Sequence, residues 1–147
     1  MKKFAVLSLI GILALPALSA TLAQAEPERV TVQHILIAFK GSLPKGTKVT
    51  RSKEDAEKLA LQVFERAKAG EDFAAMVKMY TNDSDPGIYK MTNKGLTPDK
   101  SKQEFSRTGM VKAFGDVGFS LEVGGIGLAV YDPATSRFGW HIIKRLE

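Results

Sequence analysis

The chain has 147 residues, 44% of them hydrophobic and 25% charged, with a formal charge of +5 and a mean hydropathy of −0.07. This describes one ordinary soluble domain without low-complexity tracts or repeats, too weakly and evenly basic for a nucleic-acid-binding face. Cysteine is absent, which excludes a disulfide framework, a lipid-modified cysteine, a thiolate nucleophile and a cysteine metal site.

Lys2 and Lys3 precede an apolar run from Phe4 to Leu15, followed by Pro16 and by small-residue patterns ending at Ala20 and Ala25. This reads as a secretory signal peptide over residues 1–25, cleaved after Ala25. The run is shorter than the roughly 20 apolar residues that span a bilayer, so stable membrane insertion is not expected. Cleavage removes Lys2 and Lys3 and lowers the formal charge from +5 to +3 for the remaining domain, 26–147. That length supports one sizeable core without covalent staples.

"VTVQHILIAF" (30–39) carries apolar side chains on both parities, as expected of a central strand covered on both faces. His34 shares a face with Val30, Val32, Leu36 and Ala38. A Gly- and Pro-containing loop follows, in which every charged side chain is basic: Lys40, Lys45, Lys48 and Arg51. Ser52 then stands as an N-cap, and Ala56, Leu59, Ala60, Val63, Phe64 and Ala67 form one helical stripe that ends before Gly70. Phe73, Met76, Val77 and Tyr80 predict a second, shorter helix.

From Thr81 to Gly109 the periodicity fades. "GIYKM" has the composition of a short strand, and the remainder is longer than an ordinary connection, which marks a functional or mobile loop. Met110, Phe114, Val117 and Leu121 predict a third helix, weakened by Gly115 and Gly118 at about 1 kcal/mol each if they lie in its interior. "IGLAVYD" and "FGWHIIKRLE" complete the chain as strands. The order predicts an α+β domain with a small, mostly antiparallel sheet.

Three features bear on chemistry: the strand histidines His34 and His141, Asp83 in the loop after the second helix, and the apolar trio Met110, Phe114 and Phe119. Each also has a purely structural reading, as a satisfied strand histidine, a turn residue or core packing. Two histidines and an aspartate also match a 2-His-1-carboxylate metal set, although no ligand spacing supports one.

"HILI", "AKAGEDFAAMVKMYTND", "MVKAFGDVGFSLEVGGIG" and "FGWHIIKRLE", in that order over residues 30–147, resemble the parvulin family of peptidyl-prolyl cis/trans isomerases. The resemblance implies a parvulin/FKBP-like fold, a four-stranded antiparallel sheet surrounded by about three to four helices. It implies that His34 and His141 are the family's paired strand histidines, and that Asp83 stands at a position held by cysteine in some members. Ser136, or alternatively Thr135, would supply a hydroxyl to the histidines. Met110 and Phe114 would grip the substrate proline with Phe119 nearby, and Lys45 and Lys48 would belong to the loop that selects the residue before proline. No cofactor or metal is implied, and the expected partners are proline-containing unfolded or exported polypeptides bound by a monomer in the periplasm or outside the cell.

Two departures stand out. The family's glycine-rich "GDLG" strand is replaced by "PGIYKMTNKGLTPDKSKQEFSRTG", where Leu96 is the candidate for the missing aliphatic pocket residue, and Val111 replaces a common glutamine. They leave room for a catalytically weak relative that binds polypeptides as a chaperone.

Overall fold

The computed structural model describes residues 25–45 and 47–147. Residues 1–24 of the expected signal peptide lie outside the described residues, as does Gly46 of the basic loop. No helix among the described residues is long and apolar enough to cross a membrane.

Strand β1 (Arg29–Ile37) is the centre of the fold because its two faces feed two separate apolar clusters. Ile35 and Ile37 pack with Trp140, Ile142 and the buried stripes of helices α1 (Lys53–Lys68) and α2 (Phe73–Tyr80). Val30 and Val32 pack on the opposite face with Met91, Ile143 and helix α3 (Lys112–Ser120), which contributes Phe114 and Phe119. An apolar pattern on both parities is therefore what a strand between two helical layers requires.

Both caps of α1 form as its sequence predicts. Ser52 Oγ accepts from the Asp55 amide at 3.0 Å. At the other end, the Gly70 amide donates to Ala67 O and the Glu71 amide to Arg66 O, closing a Schellman turn. Gly118, a liability for helix propensity, lets α3 lie close to the sheet: a Cβ there would stand 3.1 Å from Met91 Cε and 3.3 Å from Val32 Cγ1.

The expected four-stranded antiparallel sheet is five-stranded and mixed, within the same α+β class. Besides β1 it contains β2 (Ile88–Thr92), β3 (Glu104–Ser106), β4 (Ile126–Ala129) and β5 (Trp140–Arg145), in the order β3-β2-β1-β5-β4. The additional strand β3 runs parallel to β2, pairing Met91 with Phe105. It exists because residues 93–103 carry the chain back along the outer edge of β2, with a single 3₁₀ turn at Lys100–Lys102. Asp99 secures that turn by accepting from the Ser101 amide at 2.9 Å, while Glu104 accepts from the Asp99 amide at 2.8 Å. A three-residue strand between Gln103 and Arg107 leaves too few side chains for any alternation to register in the sequence.

Gly87 and Gly70 both have positive φ, +65° and +92°, but only Gly87 is crowded, since a Cβ there would lie 2.6 Å from the His34 carbonyl oxygen. Gly70→Ala should cost about 1–2 kcal/mol in urea unfolding, the ordinary strain of the left-handed region. Gly87→Ala should cost clearly more and should shift the His34 ring resonances.

Candidate active site

Where β2 stops pairing, the outer edge of β1 is taken over by the loop after α2. Thr81 Oγ1 accepts from the Leu36 amide at 3.1 Å, the Asn82 amide donates to Leu36 O at 2.8 Å, and Asn82 Oδ1 accepts from the Ala38 amide at 3.0 Å. Arg51 joins the same knot through Ala38 O and Asn82 Oδ1. These contacts finish the strand's backbone hydrogen bonding and deliver Asp83 to His34, with Asp83 Oδ2 3.4 Å from His34 Nε2, a loose contact.

The β1–β5 register pairs Leu36 with His141 and His34 with Ile143, so the two histidines are diagonal neighbours. Their Nδ1 atoms are 3.2 Å apart, and the rings are stacked at an interplanar angle of 13°. Both side chains are buried. Burial pushes His141 down to about 3, the neighbouring His34 adds to this, and Asp83 opposes it. Contact with His34 holds the Asp83 carboxyl below its usual range against the effect of burial, with further help from the Ser84 amide and Tyr89. An ionised Asp83 calls for a hydrogen on His34 Nε2. In the neutral pair His34 Nδ1 then accepts from His141 Nδ1, and neither Nε2 has a partner within ordinary hydrogen-bond geometry among the described residues, Asp83 reaching His34 Nε2 only at the loose 3.4 Å.

Above these rings lies a cavity of about 340 Å³. Met110 and Val111, just before α3, and Phe114 in its first turn form one wall, with the Phe114 ring 5.0 Å from His34 and 5.6 Å from His141. Leu43, Pro44 and Phe138 from two loops, together with Asp83 and Tyr89, complete the lining. The lining is mainly apolar and the polar groups converge at its floor, the usual make-up of a small-molecule or side-chain site.

The tertiary structure thus brings His34, His141, Asp83, Met110 and Phe114 together, and it sends other expected residues elsewhere. Phe119 is five residues beyond Phe114, about 140° further round the helix. Its ring is buried in the core beneath the Arg107 guanidinium, 4.7 Å away, and does not line the cavity. Ser136 makes no hydrogen bond to either histidine; its Oγ donates to Gly139 O at 2.9 Å, and Thr135 Oγ1 donates to Asp132 Oδ1 at 3.0 Å. Both hydroxyls are used in folding the turn that leads into β5, whose local geometry outcompetes a reach to the rings. Lys45 and Lys48 are exposed and outside the lining, beside Leu43 and Pro44 that are in it. Leu96 is also outside the lining, whereas Tyr89 is part of it.

Tyr89, Leu43, Pro44 and Phe138 were missed. For Tyr89 a signal existed: within "GIYKM" it alternates with Met91, and the β1–β2 register sets it opposite Val32, on the face of His34. The metal reading meets no support in this geometry. The histidines turn their Nδ1 atoms to each other, and no group of three or more potential ligands gathers among the described residues.

His141 is held neutral to far below the ordinary histidine range, so below about pH 6.5 the unfolded chain takes up a proton that the folded chain refuses. Stability should therefore fall between about pH 6.5 and 3, by at most about 1.4 kcal/mol per pH unit from this group. Urea unfolding should show the His141 slope most cleanly between about pH 6.5 and 5, above the carboxylate range, and His141→Asn should reduce it there, while the His141 ring resonances should not titrate between pH 8 and 5.

Comparison with known proteins places this geometry. A family model described as the PPIC-type PPIase domain matches residues 17–147. The chain is 41% identical over 88 residues to foldase protein PrsA 4 of Bacillus cereus, covering 60% of this chain and 27% of that protein. It is 34% identical over 126 residues to chaperone SurA of Chromohalobacter salexigens, covering 82% of this chain and 24% of that protein. The chain thus spans about a quarter of the length of these curated relatives. Its fold matches the solution structure of TbPIN1 with a TM-score of 0.58 at 24% identity, over 82% of this chain and 98% of that one. The PPIase domain of TbPar42 matches with a TM-score of 0.55 at 24% identity, over 80% and 99%. With a family match over nearly its whole length, a parvulin-like sheet and an apolar cavity floored by its two histidines, the chain belongs to the PPIC-type PPIase, or parvulin, family.

Proposed function

We propose that residues 26–147 act as a peptidyl-prolyl cis/trans isomerase on unfolded polypeptides exported alongside this protein, once residues 1–25 have been removed. The observation that carries this reading is the apolar cavity beside the histidine pair, walled by Met110, Val111 and Phe114. Rotation about a peptide bond meets a barrier of about 18–20 kcal/mol because resonance stiffens the C–N bond, and X-Pro isomers exchange over tens to hundreds of seconds. The twisted transition state has lost that resonance and is less polar than the planar amide. A pocket that holds the proline ring on Met110 and Phe114 and displaces water binds the twisted form better than the ground state.

No nucleophile takes part in this scheme. The Asp83 carboxylate, at the rim of the cavity, disfavours the resonance form that puts negative charge on the carbonyl oxygen. His141 supplies an uncharged part of the floor: it does not protonate at neutral pH, which keeps that part of the site apolar. The foldase and chaperone names of the relatives support a role in protein folding, and a chaperone-like binder without useful turnover is the competing outcome.

A protease-coupled or exchange-NMR assay on proline peptides separates the two. Met110 is only partly buried, so Met110→Ala should stay folded and lose about tenfold or more in kcat/KM. Phe114→Ala should lose more, with part of that loss following reduced stability because Phe114 is also core. Wild-type protein that binds the peptides without accelerating exchange would leave only the chaperone reading.

For selectivity we infer that Lys45 and Lys48 favour an acidic residue before proline. Arg51 is engaged in the β1 edge, whereas these two lysines extend from the rim loop with no ion pair among the described residues. Changing both to glutamate should lower kcat/KM for Glu-Pro peptides about three- to tenfold and leave Leu-Pro peptides nearly unchanged. Equal losses on both would mean that the loop does not select.

A further inference from the structure

The aromatic floor of the cavity does not end at its wall. His141 on β5, His34 on β1, Tyr89 on β2 and Phe105 on β3 form a row across four neighbouring strands. Successive ring centroids are 5.4, 5.2 and 5.8 Å apart. The register explains the alignment. Tyr89 is opposite Val32 and Phe105 is beside Met91, and both Val32 and Met91 belong to the cluster beneath α3, so the row lies on the face of the candidate site. Burial decreases along it: His141 and His34 are buried, Tyr89 is half-buried, and Phe105 is 47% exposed.

Among the described residues Phe105 is the one aromatic in the set of large apolar side chains left exposed. None of the other five, Leu61, Met79, Ile88, Val123 and Val130, lines the cavity, and Ile88, which alternates with Tyr89, points to the opposite face. An exposed phenyl on an edge strand is a liability that proteins generally suppress. Here it continues a surface whose other end receives substrate.

We propose that Phe105, with the outer edge of Tyr89, forms a second substrate subsite that takes an apolar or aromatic side chain flanking the target proline. This rests on the isomerase reading and adds a determinant of which polypeptides are preferred. β3 is two strand spacings from β1, roughly 10 Å, and an extended residue advances about 3.3 Å. The side chain that reaches Phe105 is therefore about three positions from the proline held over the histidines. Such a subsite suits unfolded chains, which display apolar residues close to prolines, and it binds through the proline's neighbours without altering chemistry at the rotating bond.

The test compares kcat/KM of the purified protein on three substrates: a proline tetrapeptide too short to reach Phe105, and two nonapeptides with central proline carrying either leucine or serine three positions to each side. Wild type should favour the leucine nonapeptide over the serine one about five- to tenfold, mainly through KM. Phe105→Ala should erase that preference and leave the tetrapeptide unchanged, and Phe105→Leu should retain most of it. Equal losses on all three substrates, or no preference in the wild type, would overturn the subsite. If the wild type fails to turn over even the tetrapeptide, the isomerase reading fails instead, and chemical-shift perturbation by the two nonapeptides then decides the subsite alone: leucine-dependent shifts at the Phe105 ring support it, and their absence overturns it. Self-association in sedimentation that Phe105→Ala abolishes, without change in peptide preference, would assign the patch to a second copy of the chain and also overturn the proposal.

Discussion

Burying two imidazoles under a phenyl ring costs least when their polar atoms are paired, and the 3.2 Å contact between His34 Nδ1 and His141 Nδ1 pairs one nitrogen of each ring. Much else follows from that one contact. It exists only in a single β1–β5 register, because a slip of one residue would turn every side chain of a strand to the other face. The same register puts Ile35, Ile142 and Trp140 against α1 and α2, so the polar floor of the cavity and the larger apolar core are specified together.

The second constraint is the buried cation of Arg107, which ties the long 81–109 segment to the rest of the domain. Its guanidinium donates to Glu26 Oε2 at 2.8 Å, Asn93 Oδ1 at 3.0 Å and Asp116 Oδ1 at 2.8 Å, and stacks over Phe119. A buried charge this well paired adds little net stability, and removing one partner would be costly. Its value is positional, since Asp116 is on α3 two residues after Phe114. Through Arg107 the segment before β1, the loop after β2 and the helix above the cavity share one anchor. Phe119 is thereby committed to the core, which is why Phe114, and not Phe119, faces the site from α3.

A good share of this was legible in the residues themselves. The period of 3.6 in "AEKLALQVFERA" and the Ser52 and Gly70 signals mark α1, and the two-sided apolar pattern of "VTVQHILIAF" marks a central strand. His34, His141, Asp83, Met110 and Phe114 stood out because polar residues in strands and an apolar trio on a glycine-containing helix matched a family order. The failures are also instructive. Ser136 and Thr135 are close to His141 in sequence, but a tight turn consumes their hydroxyls locally. Leu96 has the aliphatic residue type but stays outside the lining, whereas Tyr89 enters it because alternation within β2 and the pairing of β2 with the distant β1 set it beside His34.

What the sequence by itself determined is the set of elements and their buried faces, because period and capping are properties of neighbours along the chain. It also determined the absence of any thiol chemistry and the residue types from which a site had to be made. What only the tertiary structure decided is which of those residues meet. The diagonal apposition of His34 and His141, the entry of Tyr89 and Phe138 into the lining, the exclusion of Phe119 and the parallel addition of β3 all depend on strand register and helix rotation. These are set by packing between segments far apart in the chain, so no stretch read alone contains them.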